Sequence, residues 1–138
     1  MPDSTAPDQS ASVDPKRSPL HAVHEAAGAT FTDFGGWLMP VRYASDLAEH
    51  RAVREAAGLF DISHTAELAV SGPQAAAFLD YALAANVSAL QVSKAKYTMI
   101  LQPDGGVIDD LIVYRNSPGE FLVVANAGNR DAVVSELR

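Results

Sequence analysis

The stretch that decides the fold is residues 96–126, KYTMILQPDGGVIDDLIVYRNSPGEFLVVAN. β-Branched and aromatic residues dominate the runs on both sides of Pro103–Gly106, whose proline, aspartate and glycines are typical of a tight turn. Asn116–Glu120 supplies a second set of turn residues. The pattern therefore predicts a β-hairpin and one further strand, with the bounds Lys96–Leu101, Val107–Tyr114 and Phe121–Asn126.

Upstream and downstream of this stretch, capping residues, glycines and prolines divide the chain into helices and extended segments. Helices are predicted from Ser18 to Gly28, from Asp46 to Gly58, after Gly72-Pro73 and from near Asn129 onward. Extended segments are predicted at 29–34, 37–43 and 65–71. This order indicates an α+β fold with a mostly antiparallel sheet and packing helices. The last helix has no stop signal before Arg138, so we expect the chain to be a fragment.

Single positions within these elements carry their own predictions. Leu20 and Val23 are expected to face inward from the first helix. Pro40 predicts an edge or a bend, because proline cannot donate a hydrogen bond to a sheet. The third helix is expected to bury its apolar side, which consists of Ala75, Phe78, Leu79 and Ala82.

Composition and charge exclude several classes of protein. The net charge of −7 and the isoelectric point near 4.8 argue against nucleic-acid binding, which depends on basic residues that neutralise phosphates. The absence of cysteine excludes disulfides and thiolate zinc sites. No apolar run approaches the ~20 residues that span a bilayer. Residues 1–17 resemble neither a secretory signal nor a transit peptide and are expected to be a disordered tail, so a cytoplasmic location is predicted.

Asp109 and Asp110 are the strongest candidates for chemistry, because they interrupt an apolar strand. Side chains alternate along a strand, so the two carboxylates must lie on opposite faces. Asp110 is expected to share its face with Ile108, Ile112 and Tyr114, and Asp109 to share the other with Val107, Leu111 and Val113. Either one carboxylate lines a ligand cleft, or the pair ends the turn with one carboxylate solvated and the other accepting backbone hydrogen bonds.

Three other polar positions leave alternatives open. Asn126 could contact a heterocycle or could be the N-cap of the following helix. His64 could be a base but is more typical of a hydrogen-bonded structural histidine. His21 and His24 have a spacing that can bind metal, but no carboxylate or cysteine partner for a metal site is evident nearby, and no metal site is predicted. Trp37, Met39 and Tyr43 are interpreted as core residues and less readily as a stacking platform.

Several segments, taken together and in order, carry a family resemblance. They begin with Ser18-Pro19-Leu20 and include Asp33–Tyr43, Gly58–His64, Gly105–Tyr114 and Val124–Ala127. From about Ser18 to its end, the chain resembles the aminomethyltransferases, the T-proteins of the glycine cleavage system. The resemblance implies the N-terminal part of a three-domain, cloverleaf folate-binding transferase. Residues 18–54 would start the first folate-binding domain, completed by later sequence, and residues 55–138 would form a second α/β subdomain, truncated at its C-terminal helix.

The resemblance also implies an activity and its partners. Family members take an aminomethyl group from the lipoyl arm of the H-protein and transfer the one-carbon unit to tetrahydrofolate, a cosubstrate. The products are 5,10-methylenetetrahydrofolate and ammonia. The family's key aspartate corresponds to Asp110, which would orient the folate and stabilise positive charge. Asp110→Asn is therefore expected to impair transfer and Asp109→Asn far less. No nucleic acid or membrane is expected among the partners.

The folate contacts implied by the resemblance are Thr65, Tyr97, Asp110, Ile112, Tyr114, Val124 and Asn126. Thr65 departs from the family, in which a methionine is usual at this position, and Ala66 follows instead of the usual glycine. This departure leaves one alternative open, a folate-dependent demethylase or the folate half of a dimethylglycine- or sarcosine-type oxidoreductase. A further alternative, independent of Thr65, is a folate-binding maintenance protein for iron–sulfur assembly that is not an enzyme.

Overall fold

The computed structural model describes residues 14–138, which form two β-sheets and four α-helices. The first half contains β1 (Lys16–Arg17), α1 (His21–Ala26), β2 (Thr30–Phe34), β3 (Trp37–Arg42) and α2 (Asp46–Glu55). The second half contains β4 (Ala66–Ser71), α3 (Ala75–Ala82), β5 (Ala95–Leu101), β6 (Val107–Ser117), β7 (Glu120–Ala125), a 3-10 turn (Ala127–Asn129) and α4 (Arg130–Glu136). Only β1 pairs in parallel, so the predicted α+β class with mostly antiparallel strands is confirmed.

The second sheet has the strand order β4-β7-β6-β5 and is antiparallel throughout. The predicted hairpin forms its β5–β6 edge. Gly105 adopts a positive φ of 90° in the turn, and its backbone N–H donates to the Gln102 carbonyl at 2.9 Å. The Asp104 carboxylate accepts a hydrogen bond from the Gly106 N–H at 2.9 Å. Glycine and aspartate therefore occupy the positions where this turn needs conformational freedom and a side-chain acceptor.

One face of the second sheet is covered by α3 and α4. Leu79 of α3 and Val133 of α4 are fully buried against Val113 and Val123 from the sheet. Burying one such side chain contributes about 1.5–3 kcal/mol, so this layer holds the helices to the sheet. The predicted inner face of α3 is confirmed at Leu79 but not at Phe78, which stays 37% exposed at the edge of the layer.

The first sheet has the order β1-β3-β2, and Trp37 and Met39 of its central strand are buried together with Ala127. β1 lies in the segment that the sequence predicted to be disordered. That prediction is wrong for Lys16–Arg17, which pair with the start of β3; its other part, residues 1–13, lies outside the described residues. β1 pairs with Trp37 and Leu38 of β3 and does not reach Pro40. On the other side of β3, a bulge in β2 lies close to Pro40. Both observations agree with the predicted edge or bend.

The first helix begins later than predicted and faces the other way. Ser18 does not cap it; its hydroxyl accepts a hydrogen bond from the Leu20 N–H in the turn before the helix. Leu20 and Val23 are 43% and 62% exposed, and His21 and His24 are buried instead. The reason is tertiary: the ring of His24 is held by hydrogen bonds from residues far away in the sequence, so its side of the helix turns inward.

Candidate functional site

Asp109 and Asp110 lie on opposite faces of β6, as the alternation predicted. Asp109 is only 2% exposed and shares the helix-covered face with Leu111 and Val113, whereas Asp110 is exposed on the other face. Val107 was predicted to share the face of Asp109 but does not. It is exposed, because a bulge beside it shifts the register of β5 and β6. Asp110 is thus solvated and Asp109 accepts a backbone hydrogen bond from Asn126, as the second alternative describes, while a role for either carboxylate in a ligand cleft stays a prediction.

The face that carries Asp110 is not covered by α3 or α4, and we call it the open face. Tyr97, Ile112 and Val124 are paired across β5, β6 and β7 and therefore form one row on it. Tyr114 and Leu122 form the next row, and Met99 pairs with Asp110 in the row on the other side. Five of the seven positions predicted from the family resemblance consequently lie side by side on this face.

Asp110 is held at the end of the open face by two neighbours. The Tyr97 hydroxyl donates a hydrogen bond to its Oδ2 at 2.8 Å, and the Asn126 side-chain amide donates to its Oδ1 at 3.1 Å. The hydrogen bond to Asp110 raises the pKa of Tyr97 above its usual value, and partial desolvation and the charges of both aspartates add to the effect. Tyr97 therefore remains a hydrogen-bond donor to the carboxylate at neutral pH.

Asn126 meets the N-cap interpretation in position only, and its contact with a heterocycle stays a prediction. It occupies the N-cap position of the 3-10 turn, but its side chain makes no capping hydrogen bond. Instead its Nδ2 donates to the carboxylate of Asp109 at 3.0 Å and to the carbonyl of Asp110 at 3.0 Å. The amide therefore joins the two aspartates at the edge of the open face.

Thr65 lies just before β4, one residue beyond the pair formed by Ala66 and Ala125. This position is next to Asn126 if the antiparallel register continues. The Thr65 hydroxyl donates to the carbonyl of Ile62 at 2.8 Å, so its polar group is used within its own turn. Thr65 offers a ligand its methyl group and the remaining acceptor capacity of its hydroxyl, and its side chain is smaller than the methionine usual in the family.

The open face fits one side of the folate implied by the resemblance. Ile112, Val124 and the Tyr114 ring provide an apolar surface for a flat heterocycle, and Asp110 with Asn126 provides directed polar groups at one end of that surface. These two elements, an apolar wall and a few placed polar atoms, are what a pterin ring requires. The described residues would build one wall of such a site.

The other candidate histidines have structural environments. His64 is half-buried, and its ring packs edge-on against Phe34 and Trp37 at centroid distances of 5.7 and 6.4 Å. His24 is bound by the carboxylate of Asp61 at 2.8 Å. Within residues 14–138 no group of three or more His, Cys, Asp or Glu side chains is arranged to bind a metal ion. In the same range no helix is long and apolar enough to cross a membrane.

A separate cavity of about 300 Å³ lies between β3, α2 and the segment that follows α2. Apolar residues such as Val41, Val53 and Phe60 dominate its lining. Its polar lining residues are already engaged, since one Glu49 oxygen accepts the backbone N–H groups of residues 43–45. The cavity does not include Asp110 and brings together none of the predicted site residues, so the open face is the better candidate site.

Asn129 is the residue of this region that the sequence did not single out as a site residue. It was interpreted only as the start of the last helix, yet its Nδ2 donates to the buried Asp109 carboxylate at 2.7 Å. The signal that could have found it is the spacing of Asn126 and Asn129, which puts two side-chain amides on one turn directly after an apolar strand.

Comparisons with known proteins identify the family of the chain. The profile of the family described as the GCVT N-terminal domain matches residues 20–138. The chain is 61% identical to an aminomethyltransferase of Saccharopolyspora erythraea over 123 residues, 89% of this chain and 34% of that protein. It is 60% identical to an aminomethyltransferase of Corynebacterium jeikeium over 123 residues, 89% of this chain and 32% of that protein.

The fold is shared with a solved structure. The crystal structure of glycine cleavage system aminomethyltransferase T from Bartonella henselae matches with a TM-score of 0.86 and 46% identity, over 88% of this chain and 34% of that chain. The chain therefore spans about a third of the length of the relatives it matches. These matches confirm the resemblance noted in the sequence, and the chain belongs to the GCVT N-terminal domain family.

Proposed function

We propose that this chain is the N-terminal, folate-binding part of an aminomethyltransferase of the glycine cleavage system. The whole enzyme would take the aminomethyl group from the lipoyl H-protein and form 5,10-methylenetetrahydrofolate and ammonia. The observation that carries the proposal is the open face. On it, five of the implied contact positions from three strands lie together: Tyr97, Asp110, Ile112, Tyr114 and Val124. The aminomethyltransferase names of its relatives support the same activity.

The chain's own residues would bind and orient the ligand. When bound, tetrahydrofolate supplies the amine that receives the one-carbon unit. Ile112, Val124 and Tyr114 would hold the ring by apolar contact, and Asp110 would orient it and stabilise positive charge that develops nearby. The hydrogen bonds from Tyr97 and Asn126 fix the Asp110 carboxylate in advance, so little reorganisation is needed when the ligand binds.

The domain assignment from the sequence remains part of this proposal. Residues 18–54 would start a first folate-binding domain that later sequence completes, and residues 55–138 would form the second subdomain. Support comes from apolar side chains of the first part that are left exposed, which are Leu20, Val23, Phe34, Val41, Leu47 and Val53. Such a surface is typical of a region that packs against more protein.

The names of the relatives favour aminomethyltransfer over the demethylase or oxidoreductase and over the maintenance protein. The H-protein as donor partner and a cytoplasmic location stay predictions, made from the resemblance and from the sequence.

The proposal is tested with Asp110→Asn in a full-length enzyme that carries this sequence. Asparagine keeps the shape of the side chain but removes its charge, so we expect the rate of aminomethyl transfer to tetrahydrofolate to fall by about 100- to 1000-fold. Asp131→Asn is the matched control, because Asp131 is an exposed carboxylate on α4, on the helix-covered side of the sheet. Equal rates in the two variants would contradict the proposal.

A further inference from the structure

We propose that Asp109, the buried member of the acidic pair, is a positioning residue for the open face. It acts by fixing the orientation of the Asn126 amide beside Asp110. This inference rests on the proposed folate-binding function and assigns a role to a residue that the sequence placed on the wrong side of the strand for ligand contact.

Three hydrogen bonds converge on the Asp109 carboxylate. Its Oδ2 accepts the backbone N–H of Asn126 at 2.9 Å. Its Oδ1 accepts the side-chain amides of Asn126 at 3.0 Å and of Asn129 at 2.7 Å. A carboxylate that is 2% exposed needs such partners, because an unpaired buried charge is strongly unfavourable. Asp109 therefore ties the end of β7 and the following turn to the first part of β6.

The charge of Asp109 determines which end of the Asn126 amide faces the aspartates. An ionised carboxylate can only accept hydrogen bonds, so the Asn126 nitrogen must point towards Asp109 and Asp110. The Asn126 Oδ1 then lies on the far side of the amide, and the side chain is exposed. Asp110 and Asn126 thus each keep an acceptor group at one end of the open face. A ligand edge that carries N–H and amino donors, as a pterin ring does, complements this pair.

The substitution Asp109→Asn would disturb this arrangement, contrary to the expectation from the alternation alone. An asparagine at position 109 has one acceptor and one donor. Whichever way it is oriented, its NH₂ group meets either the Asn126 backbone N–H or the two side-chain amides, and one contact becomes donor against donor. The Asn126 amide would shift or rotate, and the paired acceptors at the open face would be lost.

The test compares variants of a full-length enzyme that carries this sequence, by calorimetric titration of tetrahydrofolate and by kcat and KM for folate. We expect Asp109→Asn to raise Kd and KM for tetrahydrofolate tenfold or more. Val113→Ala is the matched control, because Val113 is fully buried on the same face of the same strand and makes none of the side-chain hydrogen bonds of Asp109. It should lower Tm, as we also expect of Asp109→Asn, but change Kd less than threefold.

A double-mutant cycle separates positioning from general destabilisation. If Asp109 acts through Asn126, Asp109→Asn should add less than a twofold change in Kd in the Asn126→Ala background. If Asp109→Asn does not fold, Asn129→Ala, at an exposed position, provides the same test. It should weaken tetrahydrofolate binding about threefold, and this effect should disappear in the Asn126→Ala background.

The inference is overturned if Asp109→Asn affects Kd no more than Val113→Ala does, or if its effect is the same with and without Asn126. In either case tetrahydrofolate binding by the wild type and its loss in Asp110→Asn would leave the proposed function standing. Absence of tetrahydrofolate binding in the wild type would overturn the proposed function itself, and the inference with it.

Discussion

At the scale of single residues, hydrogen bonding distinguishes two neighbouring aspartates that look identical in the sequence. Alternation along a strand was sufficient to predict that they face opposite ways. It could not identify the partners of Asp109, because Asn129 is 20 residues away and reaches it only through the turn after β7. Five of the seven positions implied by the resemblance fall on the open face, but the role of Asp109 depends on tertiary contacts that no local pattern carries.

The contact between Tyr97 and Asp110 leads to a prediction at this scale. The hydrogen bond to Asp110 is the largest cause of the raised pKa of Tyr97, so Asp110→Asn should lower that pKa towards its usual value. The measurement is a spectrophotometric titration of phenolate, with Tyr97→Phe used to subtract the other tyrosines. A Tyr97 pKa that does not change in Asp110→Asn would show that the two side chains are not in contact.

At the scale of elements, the sequence predicted best where local chemistry decides. The β5–β6 hairpin forms as predicted because its turn residues determine it, and α2 begins at Asp46 with Ser45 as its N-cap. The prediction of which side of the first helix is buried was wrong, because that side is selected by Asp61, which lies 37 residues beyond His24. The predicted burial of Phe78 was wrong, because periodicity identifies an apolar side of a helix but not where the covering sheet ends.

A buried polar network ties α1 and β3 to the segment before β4. The Asp61 carboxylate accepts hydrogen bonds from the Ser18 hydroxyl at 2.6 Å and the Ser63 N–H at 2.9 Å, and is bound by His24 Nε2 at 2.8 Å. The other ring nitrogen of His24 is bound to the Tyr43 hydroxyl at 2.7 Å. Burial alone would raise the pKa of Asp61, but these hydrogen bonds outweigh it and hold the pKa well below its usual range.

The network predicts how stability depends on pH. Because the folded pKa of Asp61 is depressed, its contribution is fully present above the unfolded pKa of about 4 and is lost as the pH falls below that value. Asp61→Asn should lower the free energy of unfolding by about 1–3 kcal/mol at pH 7, and the difference from wild type should shrink below pH ~4. Urea unfolding across this pH range measures both effects.

Asp46→Asn is the control for that series. Asp46 is an exposed carboxylate 3.7 Å from Arg42, and its replacement should change stability by no more than about 0.5 kcal/mol. A difference between Asp61→Asn and wild type that stays constant from neutral pH to below pH 4 would contradict the assignment of the network.

At the scale of the whole molecule, the two sheets meet close to the candidate site. Trp37 and Met39 of the first sheet pack with Ala127, and a side chain at Gly35 would come within 3.5 Å of the Gly128 backbone. The first sheet therefore supports the turn that carries Asn126 and Asn129. The open face itself has no second wall among residues 14–138, and the relatives are about three times as long as this chain.

This one-sided site predicts that the 138-residue chain by itself does not catalyse aminomethyl transfer. A ligand held against a single wall is not fixed in a reactive geometry, which requires placement within a fraction of an ångström. The assay compares the purified chain with a full-length enzyme carrying the same sequence, using the lipoyl H-protein and tetrahydrofolate. Turnover by the chain alone would contradict the prediction.

The central claim is that the open face, with Asp110 at its end, binds tetrahydrofolate, and calorimetric titration tests it most directly. Tetrahydrofolate is titrated into a full-length enzyme carrying this sequence, as wild type, Asp110→Asn and Asp131→Asn. We predict binding by the wild type, unchanged affinity in Asp131→Asn and at least tenfold weaker binding in Asp110→Asn, which corresponds to about 1.4 kcal/mol or more. Absence of binding by the wild type, or equal affinity in Asp110→Asn, would contradict it.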